Sequence, residues 1–164
     1  DKYPILQNDC EYTDWIVLTK RQFEAERCTR VIDGTFTKFD VKSGPADVDL
    51  YNSQLNHLSM VLECVLQTKD GKRFTRKNKN DPCEIWKLHK DHQRSSATNA
   101  AITTILSQEL SNLKVADFDY PTQCLDVFDT KLEKFNELAQ PNVNQFFEVD
   151  DPREYSITQC LGKM

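Results

Sequence analysis

The chain has few of the residues and motifs on which common enzyme and cofactor sites are built. Its 164 residues include only four glycines. Neither the phosphate-binding pattern G-x-x-x-x-G-K-[ST] nor the dinucleotide pattern G-x-G-x-x-G occurs in it. A G-x-S-x-G elbow, which would expose a serine nucleophile, is also missing. These absences predict a protein without a cofactor, and we interpret the chain as non-enzymatic.

Further absences bear on metal binding, membranes and processing. No C-x-x-C pair is present, which removes the main support for a zinc ribbon. No apolar run approaches the roughly 18 residues of a membrane span. The chain begins at Asp1 with neither an initiator methionine nor an apolar leader. That beginning fits a mature protein whose signal peptide was removed, or a trimmed chain.

Six cysteines are spread along the whole chain. An even and dispersed set without metal-type spacing is typical of disulfides formed in an oxidising compartment. The expectation is three disulfides, one of which joins Cys10 or Cys28 to Cys160, and secretion of the protein. The complete set is Cys10, Cys28, Cys64, Cys83, Cys124 and Cys160.

Apolar spacings of three and four predict a mainly helical protein. The clearest stripe lies between Pro45 and Gly71, and we take that stretch as the central helix. The stripe consists of Val48, Tyr51, Leu55, Leu58, Leu62 and Val65. Other predicted helices cover 13–30, 81–93, 95–113 and 122–140, although 15–18 and 83–88 could instead form strands. A short strand or an extended connector is expected within 31–41. The predicted fold is therefore one disulfide-stapled domain of four to five helices with at most a small β element, which the tail around 146–157 could also supply.

The charge is uneven along the chain. The net charge of −5 combines acidic ends with a basic segment at 67–94. Six basic residues fall within the eleven positions from Lys69 to Lys79. We predict a basic, polar loop that binds a protein partner, with a sulfated glycan as the alternative ligand and a merely solvated loop as the simpler interpretation. The candidate binding residues are Lys72, Arg73, Phe74, Arg76, Lys77 and Lys79.

His89 and His92 stand three apart on the predicted helix at 81–93. Imidazoles at that spacing can share a metal. The intervening residues do not form the zincin pattern, and Lys87 and Lys90 oppose a cation, so no metal is predicted. If the protein were an enzyme, one of these two histidines beside a carboxylate would be its expected centre.

Two patterns resemble known families. The amphipathic helices with six cysteines resemble short-chain four-helix cytokines. The order Cys83-Glu84-Ile85-Trp86, Pro121, Cys124, Phe128 and Cys160 is similar to the C-terminal cysteine pattern of tick histamine-binding lipocalins. The interval from Cys28 to Cys64 is too short for the middle strands of that barrel, and the chain is assigned to neither family.

The functional expectation is a secreted, non-catalytic binding protein, either a cytokine-like ligand or a secreted effector, that engages a macromolecular partner. Neither nucleic-acid binding nor a membrane span is expected, because only one segment of this acidic chain is basic. One alternative is an extracellular carrier of a small hydrophobic or amine ligand, enclosed by Leu62, Trp86, Phe128 and Phe135. The other is a secreted enzyme that uses His89 or His92.

Overall fold

A computed structural model describes residues 2–37, 40–41 and 44–139, and these residues are mainly helical, as predicted. Seven α-helices lie in these ranges, more than the four to five expected. The predicted tail element at 146–157 lies outside them. The helices are α1 (Tyr12–Ala25), α2 (Thr29–Ile32), α3 (Pro45–Val65), α4 (Lys69–Lys77), α5 (Pro82–Ser95), α6 (Ala97–Asn112) and α7 (Pro121–Leu138). Short 3₁₀ turns occur at Asp9–Glu11 and Val115–Asp117.

Contacts divide the chain into two compact units, residues 1–93 and residues 94–164. Whether they behave as one domain stays a prediction. The first unit holds α1 to α4 and most of α5. The described part of the second unit ends at Ala139 and holds α6 and α7.

An N-terminal arm is held onto the first unit by backbone pairing. Leu6 is fully buried and forms a parallel bridge with Leu66, just beyond α3. The amide of Leu6 donates to the carbonyl of Val65 at 2.8 Å, and Gln67 donates back to Leu6 at 3.0 Å. Cys10, which the sequence analysis considered as a partner of Cys160, is exposed, and that pairing stays a prediction because Cys160 lies outside the described residues. The burial of an apolar side chain and two backbone hydrogen bonds anchor the arm in the described part of the chain.

Aromatic side chains from α1 and α5 form the core of the first unit. The Trp86 ring lies 5.2 Å from Phe23 and 5.9 Å from Trp15. His89 joins the same cluster, with its ring centre 5.6 Å from Trp15 and 5.7 Å from Tyr12. Tilted and edge-on arrangements of this kind are the favoured geometries for aromatic pairs.

The central helix α3 begins at Pro45 as predicted but ends at Val65, six residues earlier than expected. Proline suits the first helical position because its missing N–H would be unpaired there in any case. The predicted stripe is buried only at its C-terminal end, where Leu58, Leu62 and Val65 lie in the core. Val48, near the other end, is 41% exposed. Periodicity therefore identified the face correctly but not how far the core extends along it.

The strand expected at 31–41 is not found in the described part of that segment. Thr29–Ile32 forms the short helix α2, and a turn follows. Gly34 has a φ of 71°, a left-handed conformation that glycine adopts without strain and that interrupts an extended run. The β-branched and aromatic residues Thr35, Phe36 and Thr37 alternate as in a strand, but the turn and α2 occupy the segment instead.

The disulfide part of the prediction is not confirmed. Among the five cysteines that the structure describes, no two are joined, and Cys160 lies outside the described residues. The Cys83 thiol contacts the carbonyl oxygen of Val31 at 2.9 Å, which links the start of α5 to α2. Burial raises the pKa of the Cys83 thiol, and burial also raises that of Cys28, so both disfavour the thiolate.

In the second unit, α6 packs against α7. Ser96 caps α6 by accepting a hydrogen bond from the amide of Asn99 at 3.2 Å. Lys131 of α7 donates to Glu109 of α6 at 2.6 Å. Helical spacing predicts that Ile102, Ile105, Leu106, Leu110 and Leu113 point inward. Leu106 and Leu110 are buried, but Ile105 is 53% exposed, contrary to that expectation. The buried apolar side chains of α6 and α7 are Leu106, Leu110, Cys124, Phe128, Leu132, Phe135 and Leu138.

Candidate functional site

The basic segment is a helix rather than the loop that the sequence suggested. Thr68 caps α4, because its hydroxyl oxygen accepts a hydrogen bond from the amide of Gly71 at 3.1 Å. Asp70 in the first turn and Arg76 and Lys77 in the last turn complement the helix dipole. The buried side of α4 is small and contains Gly71 and Thr75. An apolar stripe is therefore absent, and hydrophobic periodicity could not reveal this helix.

Five cations of α4 share the face that points away from the buried side. At about 100° per residue they fall within an arc of about 140°, roughly opposite Gly71. All five are exposed: Lys69, Lys72, Arg73, Arg76 and Lys77. We call this set the basic face. It includes four of the six predicted binding residues and adds Lys69, which the sequence analysis left out.

The other two predicted residues lie beside the basic face. Phe74 is half-buried, and the Arg73 guanidinium lies 5.1 Å from the centre of its ring. The position of Phe74 is structural, because its ring also lies 5.7 Å from His92. Lys79 follows the end of α4 and is exposed. The aromatic ring thus supports the helix from the side and is only partly accessible to a ligand.

One residue of the basic face is engaged in an ion pair. Arg73 Nη2 lies 2.9 Å from Asp70 Oδ1, and the second oxygen of Asp70 lies 3.1 Å from His92 Nε2. The other four cations of the face form no ion pair with a described residue. Their charges remain available to an anion, while Arg73 is fixed in place by its carboxylate partner.

A cleft of about 420 Å³ lies between α3 and the turn that joins α4 to α5, and Thr75 of α4 contributes to its lining. Met60 is 67% exposed on one wall, and Ile85 and Thr75 are nearly buried. Asn80 adopts a left-handed φ of 68°, a conformation that asparagine tolerates better than most residues. The lining residues are Asn56, Ser59, Met60, Glu63, Thr75, Lys79, Asn80 and Ile85. We call this the α3–α5 cleft.

A second cleft of about 300 Å³ lies at the exposed N-terminal half of α3. Tyr51 packs there against Phe36, with ring centres 6.1 Å apart. Asp40 accepts hydrogen bonds from the amide and hydroxyl of Thr37, which lower the pKa of its carboxyl. This cleft carries negative charge from Asp40 and Asp47, the opposite sign to the basic face.

The two histidines of the enzyme hypothesis have different surroundings. His89 is fully buried, and neither ring nitrogen has a hydrogen-bond partner among the described residues. Burial lowers the pKa of His89 to about 4, so its imidazole is neutral at pH 7. Only His92 is accessible to solvent, beside Asp70. No cluster of three or more His, Cys, Asp or Glu side chains in the described ranges could hold a metal ion.

The residues of the carrier hypothesis are packed in cores. Leu62 and Trp86 are buried in the first unit, whereas Phe128 and Phe135 are buried in the second. None of the four lines either of the two clefts described above. Among the described helices, none combines the length and apolarity needed to cross a bilayer.

Sequence reasoning missed the α3–α5 cleft. Met60 and Glu63 lie off the predicted stripe of α3, and Asn80 was treated as part of a loop. An apolar residue on the polar side of a predicted helix was the available signal. Comparison with other proteins adds no assignment, since no family model, curated protein or solved structure matches the chain.

Proposed function

We propose that the chain is a secreted, non-catalytic binding protein that engages an acidic protein partner through the basic face of α4. The observation that supports this proposal most directly is the arrangement of five exposed cations along one side of a short helix. Four of them have no ion-pair partner among the described residues. Clustered charges of one sign attract a partner of opposite charge and accelerate its association.

The residues that pack and cap α4 lie outside the basic face. Gly71 and Thr75 provide the buried contacts of α4, and Thr68 provides its cap. Exposed lysines contribute little to stability, so their clustering is better explained by binding than by packing. Sulfated glycan remains the alternative ligand for the same cations.

A charge-reversal variant tests the proposal. Lys72, Arg76 and Lys77 are changed to Glu, and Arg73 is left intact because it pairs with Asp70. The probes are a labelled polyglutamate peptide and a heparin hexasaccharide at about 20 mM and about 150 mM salt, since exposed charges are screened at the higher concentration. We expect peptide affinity at low salt to fall at least tenfold while the helical far-UV spectrum is retained.

The matched control makes the same change in net charge elsewhere. Arg27, Lys87 and Lys114 are exposed and lie outside the basic face, and their replacement by Glu should lower affinity much less. Equal losses in the two variants would show that only net charge matters. No binding of the peptide at low salt would overturn the proposal, and binding of heparin alone would replace the protein partner with a glycan.

Secretion is a separate part of the proposal and rests on the even number of cysteines. Cys10 and Cys64 are exposed, so an oxidising compartment would leave them either paired or capped. The test is the mass of the intact protein purified from its source under alkylating conditions. Finding all six thiols alkylated without prior reduction would remove the support for secretion.

A further inference from the structure

One edge of α4 carries both a lining residue of the α3–α5 cleft and a cation of the basic face. Lys72 and Thr75 are three residues apart, so they lie along the same edge of α4. Thr75 lines the cleft, and Lys79 lines it as well. A ligand that lies along the basic face therefore meets the cleft at the Thr75 edge without crossing an acidic surface of α4.

The cleft differs chemically from the basic face. It presents two amides, two hydroxyls, the Lys79 ammonium group and the Glu63 carboxylate next to the apolar surfaces of Met60 and Ile85. Asparagine amides both donate and accept hydrogen bonds, and a carboxylate only accepts them, so this set matches the N–H and C=O groups of a peptide. Glu63 would repel any anionic group at the same place, a peptide carboxylate as well as a phosphate or sulfate, so the cleft suits an uncharged side chain that lies between charged ones. The lining thus favours a peptide over a polyanionic glycan.

Met60 provides the apolar contact. It is 67% exposed although it lies on the wall of a concave site. Methionine is flexible and polarisable, and it is common on surfaces that accept apolar side chains of varied shape. The volume of about 420 Å³ is within the range of ligand sites and can hold one large side chain with its flanking backbone.

We infer that the partner segment is an acidic peptide with one large apolar side chain, which enters the α3–α5 cleft against Met60 while its carboxylates pair with Lys79 and the basic face. This inference rests on the proposed function, because it names the chemistry of the partner at the same surface. The apolar side chain sets the position of the peptide, and the charges on either side strengthen its binding.

Two labelled peptides test the inference. One has a single Phe flanked by three glutamates on each side, and the other has Ala in place of Phe. Wild-type protein should bind the Phe peptide roughly five- to tenfold more tightly, the difference expected for burying one aromatic side chain in part. The variant Met60→Ala should remove most of this preference and leave the affinity for the Ala peptide unchanged.

Leu50→Ala is the matched control. Leu50 is also a highly exposed apolar residue of α3, at 60%, but it lies outside the α3–α5 cleft. The variant Leu50→Ala should therefore retain the wild-type preference for the Phe peptide over the Ala peptide. Because Met60 and Leu50 are both exposed, neither change threatens folding, and circular dichroism checks that directly.

The outcomes separate this inference from the proposed function. If wild-type protein binds both peptides equally and the charge-reversal variant binds both more weakly, the proposed function of the basic face is supported and the cleft inference is wrong. If Leu50→Ala removes the Phe preference and Met60→Ala does not, the apolar side chain binds elsewhere and the inference is also wrong. If neither peptide binds at about 20 mM salt, where screening is weak, the proposed function and the cleft inference are both wrong.

Discussion

Acid should destabilise the first unit through His89, because the folded protein holds this imidazole neutral. The pKa of His89 is lowered from 6.5 to about 4, chiefly by burial. The nearby His92 lowers it further, and the carboxylates of Asp9 and Asp70 oppose the shift only in part. The rings of Tyr12, Trp15 and Phe74 that surround it offer no ionic partner.

The direction of the effect follows from proton binding. Between pH 6.5 and pH 4 the unfolded chain binds a proton at His89 that the folded chain does not, so stability falls as the pH falls through this window. A shift of 2.5 units corresponds to about 3 kcal/mol over the whole window. About 2 kcal/mol of this is expected between pH 7 and pH 5.

Urea unfolding followed by tryptophan fluorescence measures the effect. Trp15 and Trp86 are both buried in the first unit, and their rings contact each other, so the signal reports on the region around His89. In the variant His89→Phe, the free energy of unfolding should fall by about 2 kcal/mol less than in wild type between pH 7 and pH 5. The control His92→Asn should keep most of the wild-type decline, because burial contributes more than His92 to the lowered pKa of His89. Parallel declines in wild type and His89→Phe would refute the reasoning.

Two further predictions concern packing and the N-terminal arm. Gly71→Ala should lower the free energy of unfolding by about 1–3 kcal/mol, because a Cβ at that position would lie 2.9 Å from the Cβ of Leu66. Gly44→Ala should change it by less than about 0.5 kcal/mol in the same urea assay, because an added Cβ there meets no side chain of the described residues within 4 Å. Burial alone would raise the pKa of Glu26, but hydrogen bonds from the arm, α1 and α3 outweigh it and lower the pKa to about 2. Glu26→Gln should therefore lower the free energy of unfolding by about 1 kcal/mol at pH 7. The difference from wild type should disappear as the pH falls from 4.5 through 2, where the wild-type carboxylate becomes protonated. The control Glu24→Gln should leave thermal unfolding unchanged.

The sequence predicted the parts of the fold that an apolar stripe and a proline define. Pro45 fixed the start of α3, and Leu58, Leu62 and Val65 fixed its buried face. The end of α3 and the whole of α4 were missed because α4 has no large apolar residue on its buried side. That side consists of Gly71 and Thr75, and the backbone at Gly71 packs so closely on Leu66 that no Cβ would fit. A helix packed through such small residues leaves no hydrophobic pattern to detect.

The candidate site was predicted in part. The concentration of positive charge was visible in the sequence, but its arrangement on one face required the helix. The α3–α5 cleft could not be predicted, because it depends on where Met60 lies relative to Thr75 and Asn80, residues that are distant from it in the sequence. The full burial of His89, and its lack of a hydrogen-bond partner among the described residues, could not be predicted because both depend on the aromatic side chains packed around it.

The most direct test of the central claim is to map where an acidic peptide touches the protein. Backbone amide resonances of the ¹⁵N-labelled protein are followed by NMR during titration with the Phe-containing acidic peptide at low salt. We predict that the largest shifts fall on residues 69–79 of α4 and the following turn, with a second set around Met60 in α3. Shifts confined to other surfaces, or no shifts at saturating peptide, would contradict the account.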